Sequence, residues 1–506
     1  MEKTYYDFMS EITSDELYDR LVQYGMFSEK LPDILTAESF LDYCKNKRQQ
    51  NFNQSEWFGY AVYENMRNIN IPRNIGIPTP MGHELLCKCL SDNWDKILTH
   101  FRDKTSGQPR IISRIHIRKM RNNKALFEMN YKNWRVDGTP EPDIYIGKKY
   151  MVHADISKCY PSIYTHAIPW ALVGKTEAKN NAKNDAKWYN NIDRRAQYAK
   201  NGETHGLLIG PHTSNILSEI ILCSIDSKLS KTYKNYIRNI DDYICYTDTL
   251  EEAEAFLVDL NRELREFDLL MNHKKTTIVE LPVGVVESWI HKIQNKTALF
   301  QKSKPYVDYK EIQSYIDYTI KLASKNSDNQ SILFYAIKAL LNYNLTNNAK
   351  EYLVKSVVSL SLIYPYLVPL LNHYIFEPYS VSKQDIGKYA NMIYDKNISK
   401  GNYEACTFAL LYAINSDNEI TNFQIDDAIM KNDCMLLLMS YIYCKKRAYR
   451  SGVTKLKNYA KNLIANNEMD QYWLFVYECL GHGSLENEWC AMKKAKVSFL
   501  KDTYKF

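Results

Sequence analysis

The 506 residues include 65 lysines and arginines against 59 aspartates and glutamates, a net charge of +6, with 45% apolar and 13% aromatic residues. That balance excludes a disordered chain, and the length exceeds one ordinary domain, so cores for two or three are expected. Met1 to Asp15 mixes acidic and polar residues, with no basic start followed by an apolar run, which predicts a cytoplasmic protein without a secretory leader.

The longest apolar stretch, Ser356 to Leu371, is shorter than the roughly 20 residues of a membrane span and contains Pro365 and Pro369. It reads as buried helices, with no membrane association. Of eleven cysteines only Cys87 and Cys89 lie close together, and no C-x-x-C pair offers a zinc site. They read as reduced core thiols.

Along the chain, the first hundred residues read as helices with loops. Asp15 to Tyr24 and Ala37 to Asn46 space apolar residues near 3.6, and Thr36 suits the N-cap of the second. From Pro109, Ile111, Ile112, Ile115 and Ile117 stand among arginines as in a half-buried strand pair. Arg102 to Lys124 holds eight basic residues against Asp103, a positive segment suited to triphosphates or a phosphate backbone. Tyr150 to Ile156 predicts a strand that runs into an aspartate.

Gly174 to Thr204 is polar, with Lys175, Lys179, Lys183 and Lys187 at four-residue steps, one face of a helix in an exposed insertion. Asn215 to Lys228 predicts a helix with Ile216, Ile220 and Ile225 inward. Tyr236 to Tyr246 predicts strand, turn and strand, Leu250 to Phe267 an amphipathic helix, and Leu269 to Leu281 an extended segment. Beyond about Trp289 glycine becomes rare and helical patterns recur at Ser331 to Tyr343, Lys350 to Leu362, Tyr403 to Ile414, Ile425 to Tyr443, Val453 to Ile464 and Tyr472 to Leu480. Stacked helical hairpins or a compact bundle both fit, since no fixed period is present.

Nucleotide transfer needs carboxylates from separate strands that hold paired divalent cations. Asp155 ends one predicted strand, and Asp241-Asp242 sit in the turn of the predicted hairpin. Adjacent carboxylates at a hairpin tip repel unless a cation lies between them.

Order and spacing sharpen the picture. Asp155-Ile-Ser-Lys-Cys-Tyr160, Gly206-Leu-Leu-Ile-Gly210 through Ser214-Asn215, Arg238-Asn-Ile-Asp241-Asp242 and Leu270-Met-Asn-His-Lys-Lys275-Thr276 resemble motifs A, B, C and D of reverse transcriptases. On this resemblance Asp155, Asp241, Asp242 and Lys275 are the catalytic residues, Lys275 beside the departing pyrophosphate. Asp155, Ile156 and Asp241 are the metal ligands, for two magnesium ions with manganese as an alternative. Ile156, Tyr160, Gly206, Gly210, Ser214 and Asn215 line the substrate. Tyr160 is placed to lie under the sugar and exclude a 2′-hydroxyl. Upstream, Arg110, Arg114 and Arg118 resemble finger residues that clamp triphosphate.

Tyr160-Pro-Ser-Ile-Tyr-Thr-His-Ala-Ile-Pro-Trp-Ala-Leu-Val-Gly-Lys175, followed by Glu203-Thr-His-Gly206, narrows the likeness further. It resembles the abortive-infection (Abi) phage-defence reverse transcriptases of the AbiK type, closely over roughly Asp155 to Pro282. The fold this implies is α+β: a reverse-transcriptase fingers and palm over residues 1–289, with antiparallel sheet and helices but no usual thumb. An all-α HEAT-like repeat domain follows over 290–506. The activity implied is template-independent DNA synthesis from deoxynucleoside triphosphates, primed by a protein hydroxyl, with the single-stranded product covalently attached. A homo-oligomer, trimer or hexamer, is implied too.

Tyr5, Tyr6, Tyr18 and Tyr24 are primer candidates. Leu208 and Ile209 replace the Pro-Gln of templated enzymes, and Asn239-Ile240 lacks the usual aromatic residue before the aspartates. The alternatives are a templated enzyme of the retron or intron type and a nucleotide-sensing scaffold.

Overall fold

The computed structural model describes residues 4–46, 52–67, 71–114, 116–119, 127–128, 141–284, 287–301, 305–326, 329 and 331–506. Thr13 opens the helix Ser14–Tyr24 with a capping box: its hydroxyl accepts the Glu16 N–H at 3.2 Å while Glu16 accepts the Thr13 N–H at 3.3 Å. Thr36 accepts the Glu38 N–H at 3.2 Å ahead of the helix Glu38–Asn46.

The first hundred residues, expected to hold helices and loops alone, also contain an antiparallel hairpin. β1 (Tyr60–Met66) pairs with β2 (Pro72–Pro78), and Ala61, Tyr63, Ile75 and Ile77 are buried. Prolines at both ends of β2 and Gly76 within it argue against a strand locally. Packing decides otherwise, because a Cβ on Gly76 would stand 2.9 Å from the Leu208 side chain, and the Gly76 N–H donates to the Ile209 carbonyl at 2.8 Å. Pro80, at the first turn where its missing N–H is harmless, starts Pro80–Asp92, and Trp94–Thr105 follows.

In the basic segment the strands are short. His116–Ile117 (β3) pairs with Phe127–Glu128 (β4), and Ser113 bridges Arg238 in parallel. The central sheet has β5 (Tyr150–Asp155), β6 (Tyr236–Asn239), β7 (Asp242–Thr247) and β8 (Thr277–Glu280) in the order β6-β7-β5-β8, all antiparallel. Helix Leu250–Arg265 covers it with Ala253, Phe256, Leu260 and Leu264, a 3-4-4 spacing that keeps one stripe inward. Burying each larger member of that stripe contributes about 2 kcal/mol. In helix His212–Leu229, Ile216, Ile220 and Ile225 are buried as expected.

The segment 174–204 departs from the expected exposed insertion. It forms Lys175–Asn180 and Trp188–Tyr198, so the four lysines do not share one helix, and the second helix buries Tyr189, Ile192 and Ala196 against Pro80–Asp92. Asn184, whose carbonyl and side chain bond Asn190 and Ala186, turns the chain between the two helices.

After β8 the chain is helical. Tyr309–Lys325 packs on Asn347–Ile363, Lys383–Ile398 on Tyr403–Ser416, and Tyr403–Ser416 on Cys434–Lys446, which in turn meets Trp473–Cys479. The stretch expected as one helix over Ile425 to Tyr443 is two, because Asn432 adopts φ +55° and ends Ile425–Lys431. Among the described residues no helix is long and apolar enough to cross a membrane.

The helical half returns to the β1–β2 hairpin. Buried Glu404 accepts the Tyr63 hydroxyl, the Asn65 amide and the Met66 N–H, each at 2.8 Å. Trp473 donates to the Ile77 carbonyl at 3.1 Å, and Phe499 and Lys501 exchange main-chain bonds with Thr36 and Ile34. Glu404→Ala strands these donors in a water-poor interface, so a loss of roughly 2–4 kcal/mol is expected. A urea midpoint unchanged from the parent protein would show that the three bonds contribute nothing.

Candidate active site

β5 carries Asp155 at its end, directly opposite Asp242 in the β5–β7 register. The Asn239–Asp242 pair closes β6 on β7, leaving Ile240 and Asp241 as the turn. Ile240 sits at φ +56°, a conformation that a β-branched side chain resists by roughly 1–3 kcal/mol. The Ile156 N–H donates to the Asp241 carbonyl at 3.0 Å, which ties the turn to the residue after Asp155. All three acids therefore meet at one end of the sheet.

Their surroundings suit a cation. Asp242 is pushed up to about 7, first by burial, then by the Asp241 charge and a hydrogen bond with Asp155, while Lys275 opposes the rise. Asp241 is raised by burial and the Asp155 charge, against Lys275 and Arg73. Hard oxygens in an acid-rich pocket fit magnesium, which takes one or two carboxylates and fills its remaining positions with water and phosphate. Among the described residues no three His, Cys, Asp or Glu side chains form a ready-made metal cage. Both Asp155 oxygens are engaged, Oδ1 by the Asn272 amide at 2.9 Å and Oδ2 by the Lys275 ammonium at 2.8 Å. Lys275 is 63% exposed, so its pairing with Asp155 is weak enough to exchange for another partner.

Asn272 was absent from the expected site. Its N–H also donates to the Asp155 carbonyl at 2.7 Å, and Ile156 bridges Met271, so the segment after Leu269 is stitched along the end of β5. The signal was its place three residues before Lys275. Arg73 on β2 was missed too, because nothing local connects it with Asp241.

A second unanticipated feature lies beneath the turn. Arg238, fully buried, donates to Glu219 at 3.0 and 3.1 Å, to Asp226 at 2.7 and 2.9 Å, and to the Ile240 carbonyl at 3.0 Å. Burial raises Asp226 to about 6 in spite of Arg238. Burial also acts to raise Glu219, but Arg238 outweighs it and holds that carboxyl below its usual range.

Gly206 and Gly210 have φ +87° and +129°. A Cβ at Gly206 would come 2.8 Å from the Pro161 carbonyl oxygen, and one at Gly210 2.9 Å from Ile75, so both need glycine. The Tyr160 hydroxyl donates to Asn215 Oδ1 at 2.9 Å, and Ser214 and Asn215 are buried in the first turn of His212–Leu229.

The three arginines part ways. Arg110 is half-buried, with burial lowering its pKa against Asp143. Arg114 is buried and its N–H donates to the Arg238 carbonyl at 2.8 Å, which extends the sheet edge. Arg118 is buried with its guanidinium 5.7 Å from the centre of the Phe8 ring. Ile115, Arg121 and Lys124 lie outside the described residues. Of the tyrosines expected to offer exposed hydroxyls, Tyr5 is buried and donates to Glu219 at 2.9 Å, while Tyr18 donates to Glu84 at 2.8 Å. Tyr6 and Tyr24 are partly exposed.

Residues 85–305 match the family described as reverse transcriptase (RNA-dependent DNA polymerase). Among curated proteins none matches the chain. Apo telomerase from Candida tropicalis truncated from its C-terminal domain aligns at 14% identity and TM-score 0.30 over 49% of this chain, which spans 56% of that one. Apo telomerase from Candida tropicalis aligns at 12% identity and TM-score 0.32, covering 79% of this chain and 70% of that one. Telomerase from Candida albicans in complex with a TWJ fragment of telomeric RNA gives 11% and 0.28, covering 81% and 65%.

Proposed function

We propose, for a chain that carries a nucleotidyltransferase domain of the reverse-transcriptase type, that it makes DNA without a template on a hydroxyl of the protein itself, by two-metal-ion catalysis, in bacterial abortive infection. The observation that carries this is the meeting of Asp155 and Asp241 where β5 ends beside the β6–β7 turn, with Asp242 opposite Asp155. Divalent cations held by Asp155, Asp241 and the main chain of Ile156 would supply the charge that stabilises the attacking and leaving oxygens.

The protein's own groups do the rest. Lys275 leaves Asp155 to meet the departing pyrophosphate, and Asn272 keeps Asp155 oriented meanwhile. Tyr160, braced by Asn215, lies under the sugar, while Gly206 and Gly210 let the main chain come close to the substrate. Arg110 is the favoured triphosphate contact. Arg114 and Arg118 serve the packing of the sheet edge.

Untemplated synthesis is supported by motif B. Leu208 lies against Gly76 and Ile209 accepts its N–H, so β2 covers the place where Pro-Gln occurs in templated enzymes. Residues 290–506 act as the HEAT-like half, in a trimer or hexamer, as the resemblance to the Abi enzymes implies. Tyr6 and Tyr24 are favoured as primers over Tyr5 and Tyr18, whose hydroxyls are engaged by carboxylates.

The purified protein incubated with deoxynucleotides and magnesium, without template or primer, should gain covalently attached DNA. Extension of an added primer on RNA, with no attached product, would instead establish a templated enzyme. Tyr160→Ala should raise the use of ribonucleotides relative to deoxynucleotides by roughly 10- to 100-fold, since one bulky contact discriminates by that order. An unchanged ratio in competition assays would remove Tyr160 from sugar selection.

A further inference from the structure

The segment that follows Tyr160 runs outward as a ladder. The Leu207 N–H donates to the Tyr160 carbonyl at 2.8 Å, the Gly206 N–H to Ile163 at 2.8 Å and the Thr165 N–H to Thr204 at 2.9 Å, and Tyr164 bridges His205. At its outer end stand three half-buried rings. Tyr164 meets His166 edge-on at 4.8 Å and Trp170 at 5.7 Å between ring centres. Two exposed ammoniums crown them, Lys175 at 4.5 Å and Lys179 at 5.8 Å from the centre of the Trp170 ring.

The fixed groups make this more than scattered surface. Buried Asp193 holds the His166 ring at 2.5 Å and is itself steadied by Gln197 at 2.7 Å, while the His166 side chain stays 41% exposed. Glu177, the acid between the two lysines, is engaged by Tyr189 at 3.1 Å and Lys187 at 3.6 Å. Residues 174–204 hold seven basic against four acidic side chains. Aromatic rings interleaved with cations are what a single strand of nucleic acid needs, the rings for its bases and the ammoniums for its phosphates.

We infer that Tyr164, His166, Trp170, Lys175 and Lys179 form a landing surface for single-stranded DNA, continuous with the nucleotide site through the Tyr160 to Leu207 ladder. The occupant is the product strand, and in this the inference rests on the polymerase function proposed above. A rise in pH that strips the proton from His166 removes one of its charges, and the two lysines remain.

The test reads binding apart from synthesis. Fluorescent oligo-deoxythymidylate is titrated, over a series of salt concentrations, into Asp241→Asn protein and into the same protein carrying K175Q/K179Q or Trp170→Leu. Losing two phosphate contacts should lower the slope of log affinity against log salt by about 1.4, and losing one stacking ring should weaken binding about tenfold. Because Lys175 and Lys179 are exposed, K175Q/K179Q stays informative even where Trp170→Leu fails to fold. Unchanged affinity and slope in K175Q/K179Q would overturn the surface, and tighter binding of oligouridylate would overturn its assignment to DNA. Should the parent chain make no DNA while K175Q/K179Q still loses the oligonucleotide, the surface stands and the polymerase reading falls. Should synthesis occur while K175Q/K179Q binds normally, the reverse holds.

Discussion

Asp241→Asn and Asp155→Asn should each abolish nucleotide incorporation, by about a thousandfold or more. Asparagine keeps the shape of the side chain and removes one charge from a site whose chemistry needs several kcal/mol of charge stabilisation, and each 1.36 kcal/mol is tenfold in rate. The fold should not suffer. Asp241 is already raised by burial and the Asp155 charge, and Asp242 by burial and the Asp241 charge, so deleting a charge relieves repulsion instead of breaking a support. Asp155→Asn gives up the pairing with Lys275, but an ion pair with a largely exposed partner is worth at most about 1 kcal/mol. Asp242→Asn should cost less, on the order of tenfold, because the ions are assigned to Asp155, Asp241 and the main chain of Ile156, and Asp242 only flanks them from the opposite strand. Labelled-nucleotide incorporation beside a thermal melt checks all three. Asp241→Asn protein that melts normally and retains a tenth of the incorporation would remove Asp241 from catalysis.

What the sequence made legible was local. Asp155 at a strand end, Asp241 in a hairpin and the inward isoleucines of His212–Leu229 all follow from period and turn chemistry over ten or twenty residues. The hairpin β1–β2 did not, since Pro72, Pro78 and Gly76 read as loop residues until Leu208 packs on Gly76, and Glu404 and Trp473 bond Tyr63 and Ile77, from far along the chain. For the same reason Lys183 and Lys187 looked like neighbours of Lys175 on one face, whereas burial of Ile192 and Ala196 sets the helix boundaries. Charge spacing grouped Arg118 with Arg110 and Arg114 and says nothing of its packing on Phe8, and Tyr5 looked available because its acceptor, Glu219, is 214 residues distant.

Arg238→Met should destabilise the protein by roughly 3–5 kcal/mol, the range for removing one partner of a buried ion pair. The arginine has no exposed surface, and its guanidinium lies between the carboxylates of Glu219 and Asp226 in the core, paired with both. Methionine fills similar space but leaves two carboxylates without a counter-charge, so both must take up protons or the region must open. Either response reaches the site, because Arg238 also donates to the Ile240 carbonyl and so holds the strained turn that presents Asp241. Denaturation of Arg238→Met should therefore move to lower urea, and incorporation should fall even at temperatures where the variant is folded. Adding Glu219→Gln and Asp226→Asn separates the two effects: neutral partners restore much of the stability, since the uncompensated charges are gone, but not the bond to Ile240. Activity that returns together with stability in the triple variant would mean that the turn keeps its φ +56° geometry without Arg238, and that the buried arginine serves the core alone.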